Sequence, residues 1–328
     1  MPGSRKTREG MALLTVLLLV AVMSVIAVAV LDDVRFSVRR ATNAEIQSQA
    51  QWYAAGAEAL AGRQVARLLA SNATRTPLDP EWNGRPFSFP IDEGSMTVVV
   101  RDGQACFNLN SVVEGYGEDL VARPLGAAEL VALGRAVGVD AGRMEAVADA
   151  LIDWLDADTT PRPLGGEDGA YAGLATPYRT AGVMMADVSE LRAVKGVDAD
   201  LYRRLRPHLC ALPTSQLSPI NVNTLSAADA PLLVMLTGGA LTEPAARAVI
   251  ARRPRDGWAD VTAFWAQSAL TGIVTPQEAR DQVTVLTRYF DLRIDVDYGG
   301  MRAVRTALLY ASPQGEVRTV IQRWTLAE

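Results

Sequence analysis

Five carboxylates crowd into the sixteen positions from 153 to 168: Asp153, Asp156, Asp158, Glu167 and Asp168, interrupted by Thr159-Thr160-Pro161 and Gly165-Gly166. Carboxylates this close repel one another and are costly to gather unless water or a cation neutralises them. Oxygen ligands on a loop suit calcium, a hard cation that accepts roughly six to eight oxygens, backbone carbonyls among them. Zinc finds no soft ligands here. Counted from Asp156, acidic or hydroxyl oxygens fall at places one (Asp156), three (Asp158) and five (Thr160), and Glu167 falls at place twelve, as in an EF-hand loop. Pro161 stands where that loop needs glycine for its turn, so a calcium site here has its own geometry. The alternative is a solvated acidic loop whose aspartates cap helices. Paired carboxylates also hydrolyse sugars, but calcium makes better use of the same residues.

Other chemistry is sparse. His208 is the only histidine, which excludes catalytic triads and multi-histidine metal sites. There is no phosphate-cradling glycine-lysine loop and no nucleophile elbow, so the expectation is that the chain is not an enzyme. A net charge of -5 and a pI near 5.2 argue against nucleic acid as the main partner. With 328 residues, 49% of them hydrophobic, the chain can bury a sizeable core and is long enough for two domains.

The elements that must position the acidic loop begin with an uncharged stretch from Met11 to Leu31, preceded by Arg5, Lys6 and Arg8 and followed by Asp32 and Asp33. As a helix it reaches about 31 Å, enough to span a bilayer core. The basic residues hold the short leader in the cytoplasm, so the body is exported. A secretory signal peptide cut near Ala27-Val28-Ala29 and a plain single-span anchor are the alternatives. In an exported body the two cysteines, Cys106 and Cys210, are expected to be bonded; two buried thiols are the other possibility.

From Val34 to Leu69 there is no proline, and Ile46, Ala50, Tyr53, Ala54, Ala57, Leu60, Ala61 and Val65 recur at spacings of three and four. The apolar helix therefore runs on, for roughly 55 to 60 residues, with one face against a domain. Ser71-Asn72 and Pro77 end it. Phe87–Phe89 and Ser95–Val100 flank Asp92-Glu93-Gly94 as a hairpin, and Gln104–Leu109 reads as a third short strand. Between residues 115 and 285 the pattern is helical, with segments 127–137, 142–154, 188–194, 199–205, 227–236, 243–251 and 260–268. Alternation returns from Phe290, with Gly299-Gly300 as a primed two-residue turn and a last strand over Val317–Trp324. An incomplete sheet before the helices and strands after them make the chain α+β: a long amino-terminal helix packed on an antiparallel sheet, residues 32–114 and 286–328, interrupted by an inserted all-α domain, residues 115–285.

Within the insertion, 185–209 and 221–264 resemble helix-hairpin-helix units of SAM-like domains, with Gly196 and Gly238-Gly239 at their turns. Such hairpins grip phosphate through backbone amides in DNA-binding proteins, so a DNA-uptake pseudopilin is the alternative to a plain scaffold.

Arg8-Glu9-Gly10-Met11-Ala12-Leu13-Leu14-Thr15 resembles the class III leader of type IV pilins and type II secretion pseudopilins. The resemblance implies a leader of residues 1–10, cleavage by prepilin peptidase between Gly10 and Met11, methylation of the new amino terminus, and a membrane span over 11–31. Most of those proteins carry glutamate where this chain has Thr15, and its absence is characteristic of the protein K family of minor pseudopilins. Cys106-Phe107-Asn108-Leu109-Asn110, Asp153-Trp154-Leu155-Asp156-Ala157-Asp158, Gly166-Glu167-Asp168, Tyr178-Arg179, Ser189-Glu190-Leu191 and Asn221-Val222-Asn223-Thr224 resemble blocks of the same family. Its fold is pilin-like with a large helical insertion and bound calcium, which here implies ligands from Asp156, Asp158, Thr160, Glu167 and Asp168, with Asp187 folding back to complete the shell. It further implies a place at the tip of the pseudopilus, other minor pseudopilins of the I and J types as partners through the long helix, and a single-pass protein of the inner membrane with its body in the periplasm.

Overall fold

The computed structural model describes residues 5–78, 81–117 and 119–325. The first four residues of the leader lie outside this range.

Helix α1 runs unbroken from Arg5 to Ala70. From Met11 it is apolar on every side and exposed, with a mean hydropathy of 3.0 over its most apolar window, long and apolar enough to cross a membrane. Farther on it becomes one-sided, burying Ala50, Ala54, Ala57, Ala61 and Val65. These fall at spacings of three and four, which makes a single stripe, and their small side chains let the helix axis approach its support.

That support is a five-stranded antiparallel sheet in which spatial order follows chain order: β1 (Pro86–Ile91), β2 (Gly94–Asp102), β3 (Tyr289–Tyr298), β4 (Met301–Ala311) and β5 (Val317–Thr325). Phe290, Leu292, Ile294 and Val296 alternate along β3 and bury one face of it in the core that α1 covers. Gly299 and Gly300, at φ 55° and 78°, form the two-residue turn into β4. Arg305 of β4 and Glu58 of α1 make a largely buried ion pair at 2.6 Å, and Thr319 of β5 donates to the same carboxylate.

The insertion leaves and returns at one hairpin end. Asp102 closes β2 opposite Phe290 of β3, and the Gly103 amide donates to the Tyr289 carbonyl at 2.8 Å. Residues 103–288 thus stand where a turn would otherwise join two neighbouring strands. They form a second core of their own, around α2 (Pro124–Ala136), α3 (Ala141–Leu155), α4 (Ala199–Leu205), α5 (Ala230–Leu236) and α6 (Glu243–Ala251). Asp140, Asp198 and Thr242 cap three of these helices through their side chains.

Two expectations need correction. Gln104–Leu109 is not a third strand of the sheet: the chain leaves the ladder at Gly103, and only Phe107-Asn108 is extended, pairing in parallel with Leu209-Cys210 inside the insertion. The insertion consequently begins near 103, not 115, because Phe107, Leu109, Val112 and Val113 are buried in its core. The cause is polar. Asp102 Oδ1 accepts the amides of Gln104 and Ala105, which turns the backbone out of register. The Gln104 side chain then holds the returning linker, donating to Leu286 O and accepting the amides of Arg288 and Tyr289. Residues 188–193 form a 3-10 helix, and residues 260–268 shorten to a helix over Val261–Trp265.

The inserted core contains one ionisable outlier. Glu129 of α2 is 3% exposed, accepts a hydrogen bond from Gln282 on one oxygen and leaves the other without a partner. Burial pushes its carboxyl up to about 7, against the Gln282 bond and the nearby charge of Arg123. A carboxyl raised in the folded state stabilises fully below its unfolded value and loses that contribution as pH rises through the folded one. The unfolding free energy should therefore fall by about 3 kcal/mol between pH 4.5 and 8 on account of this group, taking about 1.4 kcal/mol per unit. Urea titrations of wild type and Glu129→Gln across that range check it: the difference curve should slope, and parallel curves would refute the assignment.

Candidate metal centre

Asp153 sits on the last turn of α3 and Asp156 is its C-cap, so a spacing of three places both carboxylates at the same helix end. The chain then loops out and returns with Glu167 just before a single helical turn, Asp168–Tyr171. One carboxylate oxygen from each of Asp153, Asp156 and Glu167 lies within 4.8 Å of the others. Close approach of the returning loop depends on glycine: a Cβ on Gly165 would lie 2.1 Å from Asp153 Oδ2.

The three members are held differently. Asp153, 1% exposed, accepts the amides of Arg162 and Gly166 at 3.0 and 2.7 Å and so shapes the loop. Asp156 Oδ1 and Glu167 Oε1 are buried and have no hydrogen-bond partner. Burial, followed by the charges of Asp158, Asp153 and Glu167, pushes the Asp156 carboxyl up to about 7. Burial and then the charges of Asp153, Asp158 and Asp168 raise Glu167. The neighbouring cations are otherwise engaged, Arg162 with Asp149 at 2.7 Å and Lys195 with the Gly165 carbonyl at 2.6 Å. Two buried acceptors without donors, crowded by like charge, make a donor set that fits a hard cation. Trp154, Tyr171 and Tyr178 pack edge-on or tilted around one another beside it.

Of the residues expected as ligands, Asp156 and Glu167 are brought together. Asp158 is near enough for its charge to act on both, but its Oδ1 accepts the Thr160 amide in the exposed loop. Asp168 faces away from the cluster's unpartnered oxygens, accepting both the amide and the hydroxyl of Thr180. Asp187 is a correction. Its carboxylate caps the 188–193 helix by accepting the Ser189 amide, and it pairs with Arg323 of β5. Glu190 completes a capping box with it, so the acidic residue is committed to a helix end. Asp153, counted among the crowded acids but not among the expected ligands, takes the third place; its spacing of three from Asp156 on a helix was the signal.

Elsewhere, Cys106 and Cys210 are joined in a disulfide. Thr15, exposed on α1, donates its hydroxyl back to the Ala12 carbonyl. At the second hairpin turn the amides of Gly238, Gly239 and Ala240 bond to Met235, Val234 and Thr237 carbonyls, and Leu241 N bonds the Thr237 hydroxyl. These amides cap their own helix.

The family model described as type II secretion system (T2SS), protein K matches in two parts, residues 105–214 and 220–285. The type II secretion system protein K of Pectobacterium carotovorum subsp. carotovorum is 36% identical over 324 residues, 97% of each chain. The chain belongs to the type II secretion system protein K family. The protein K of Klebsiella pneumoniae is likewise 36% identical, over 96% of each chain. Among solved structures, a chain of the GspK-GspI-GspJ complex of the enterotoxigenic Escherichia coli type 2 secretion system superposes with a TM-score of 0.78 at 32% identity, covering 88% of this chain and all of that one. This family member is a minor pseudopilin, a structural component of a secretion machine.

Proposed function

We propose that this minor pseudopilin sits at the tip of the pseudopilus, where it starts or caps assembly with I- and J-type minor pseudopilins for the export of folded proteins across the outer membrane. The observation that carries the placement is the insertion itself, residues 103–288 projecting from the end of the β2–β3 pair. A subunit inside a helical filament must offer one contact face upward and another downward. An added domain of this size obstructs the upper one. The neutral Thr15, satisfied within its own helix turn, agrees with a first subunit that has no neighbouring amino terminus to pair with. Prepilin peptidase cuts after Gly10, Met11 is methylated, and α1 holds the protein in the inner membrane with its body in the periplasm. Gold-labelled antibody against the insertion, applied to sheared pseudopili, should mark ends only; label along the shaft would reject the tip. The mass of the mature amino terminus should correspond to methylated Met11, and a start near Val30 would reject the leader.

Calcium belongs to this reading. Asp153, Asp156 and Glu167 would hold it, with Asp158 beside them, and the ion would supply positive charge that ties the returning loop to the end of α3. An ion bound only by the folded state stabilises it by about 3–4 kcal/mol at roughly 100 to 1,000 times its dissociation constant. Chelator should lower Tm, calcium should restore it, and terbium should luminesce on excitation of the adjacent Trp154. Asp156→Asn with Glu167→Gln should abolish both responses; a Tm indifferent to chelator would remove calcium.

A further inference from the structure

Between α1 and the β1–β2 hairpin lies an apolar groove of about 390 Å³, bounded by Leu60, Leu68, Phe87, Phe89 and Val98. Leu60 is 46% exposed and Phe87 and Phe89 are 40% exposed each. Large apolar side chains left open on one continuous face mark a contact site. We propose that this groove receives an amphipathic helix of a different protein chain, one whose apolar stripe is flanked by carboxylates. The inference deepens the assembly reading above and rests on it.

Four observations select that occupant. Lipid is too far away, because Leu60 lies 29 positions beyond Leu31, about 43 Å along the helix. A strand is blocked, because β1 is the edge of the sheet and carries Pro86 and Pro90 on one side of the strand. Proline has no N–H to donate, and in sheets it stands where that side faces outward, so the edge cannot be extended by a ladder. The exposed charge around the groove is basic: Arg63, Arg67 and Arg85 are exposed and none is paired with a carboxylate among the described residues. Arg85 lies over the Phe87 ring at 5.7 Å, at the mouth of the groove. Glu81 lines the neighbouring cleft with Arg75 and Arg255 instead. A second copy of this chain is disfavoured by the same charge, since its exposed helix brings Arg35, Arg39 and Arg40 against a single Glu45, with Arg35 weakly paired to Asp32. A helix rich in acid beside its apolar stripe satisfies both the groove and its surroundings.

The full chain, tagged and co-expressed with the I- and J-type pseudopilins of its own system, would be extracted in detergent with p-benzoylphenylalanine at position 89. Irradiation should link that position to a helical segment of one of those subunits bearing Asp or Glu on either side of its apolar residues. Phe89→Glu should reduce the partner recovered per chain about tenfold, and Arg67→Glu with Arg85→Glu several-fold, with Arg→Lys variants retaining recovery. An adduct to lipid, to a second copy or to a non-helical segment would overturn the inference. So would full recovery with Phe89→Glu while the wild-type complex forms. No complex with the wild type would bring down the assembly reading and the groove with it. Both variants should keep the wild-type Tm, because neither Phe89 nor the two arginines is buried.

Discussion

Breaking the Cys106–Cys210 bond is expected to destabilise the inserted domain more than any single side-chain change described above. The bond spans a sequence separation of 104 and lies entirely within the insertion, beside the parallel pairing of Phe107-Asn108 with Leu209-Cys210. Closing a loop of that length in the unfolded chain corresponds to about 4.7 kcal/mol in the chain-entropy model, an upper figure because residual structure and strain reduce it. Cys106→Ser with Cys210→Ser should lower the urea midpoint of the insertion accordingly. The sheet has a separate core, closed by α1, and its own transition should move far less. Hydrogen exchange resolves the two cores, and equal loss of protection in both would show that they unfold as one unit.

Asp102→Ala should have the next largest effect, and one that depends on pH in a defined direction. Its Oδ1 accepts two backbone amides, and its Oδ2 accepts the hydroxyls of Thr224 at 2.8 Å and Thr287 at 2.6 Å. One carboxylate therefore binds the end of β2, the linker that leaves it, the linker that returns and a loop of the insertion. Orphaning four donors costs about 1–3 kcal/mol each. Burial opposes that loss, because it raises the carboxyl to about 6 and makes the charged form expensive; at pH 8, removing the charge returns roughly 3 kcal/mol. The donors win. The wild type gains from this carboxyl fully below pH 3.8 and loses that gain as pH rises through 6, so the alanine variant should be about 3 kcal/mol or more less stable at pH 8 and further below wild type at pH 5. A deficit that grows with pH would contradict the assignment.

The long helix, the hairpins and the two-residue glycine turn were legible because period and turn chemistry are local. Ala50, Ala54, Ala57 and Ala61 repeat at the helical spacing whatever they face. The edge of the insertion was not, since Gln104–Leu109 alternates like a strand and only the side chains of Asp102 and Gln104, acting on residues nearly two hundred positions away, divert it. At the acidic loop the crowd of carboxylates was plain, but which of them converge depends on where α3 ends. Counting from Asp156 favoured a loop pattern; the helix instead pairs Asp153 with Asp156. Asp187 was misassigned although Asp187-Val188-Ser189-Glu190 has the spacing of a capping box, a local signal outweighed by the appeal of one more carboxylate.

Because the insertion replaces a turn, it also sets the order in which the body can form. The β1–β2 hairpin closes with short-range contacts, but β2 meets β3 only after residues 103–288 have brought their two ends together. An unfolded loop of that length would hold those ends apart by chain entropy, which grows with loop length. A folded insertion places Gly103 and Tyr289 within one hydrogen bond of each other. The helical domain must therefore mature first and act as the clasp for the sheet, and until it does β2 remains an open edge, Val98 and its neighbours uncovered, on a chain already tethered by its own amino-terminal helix.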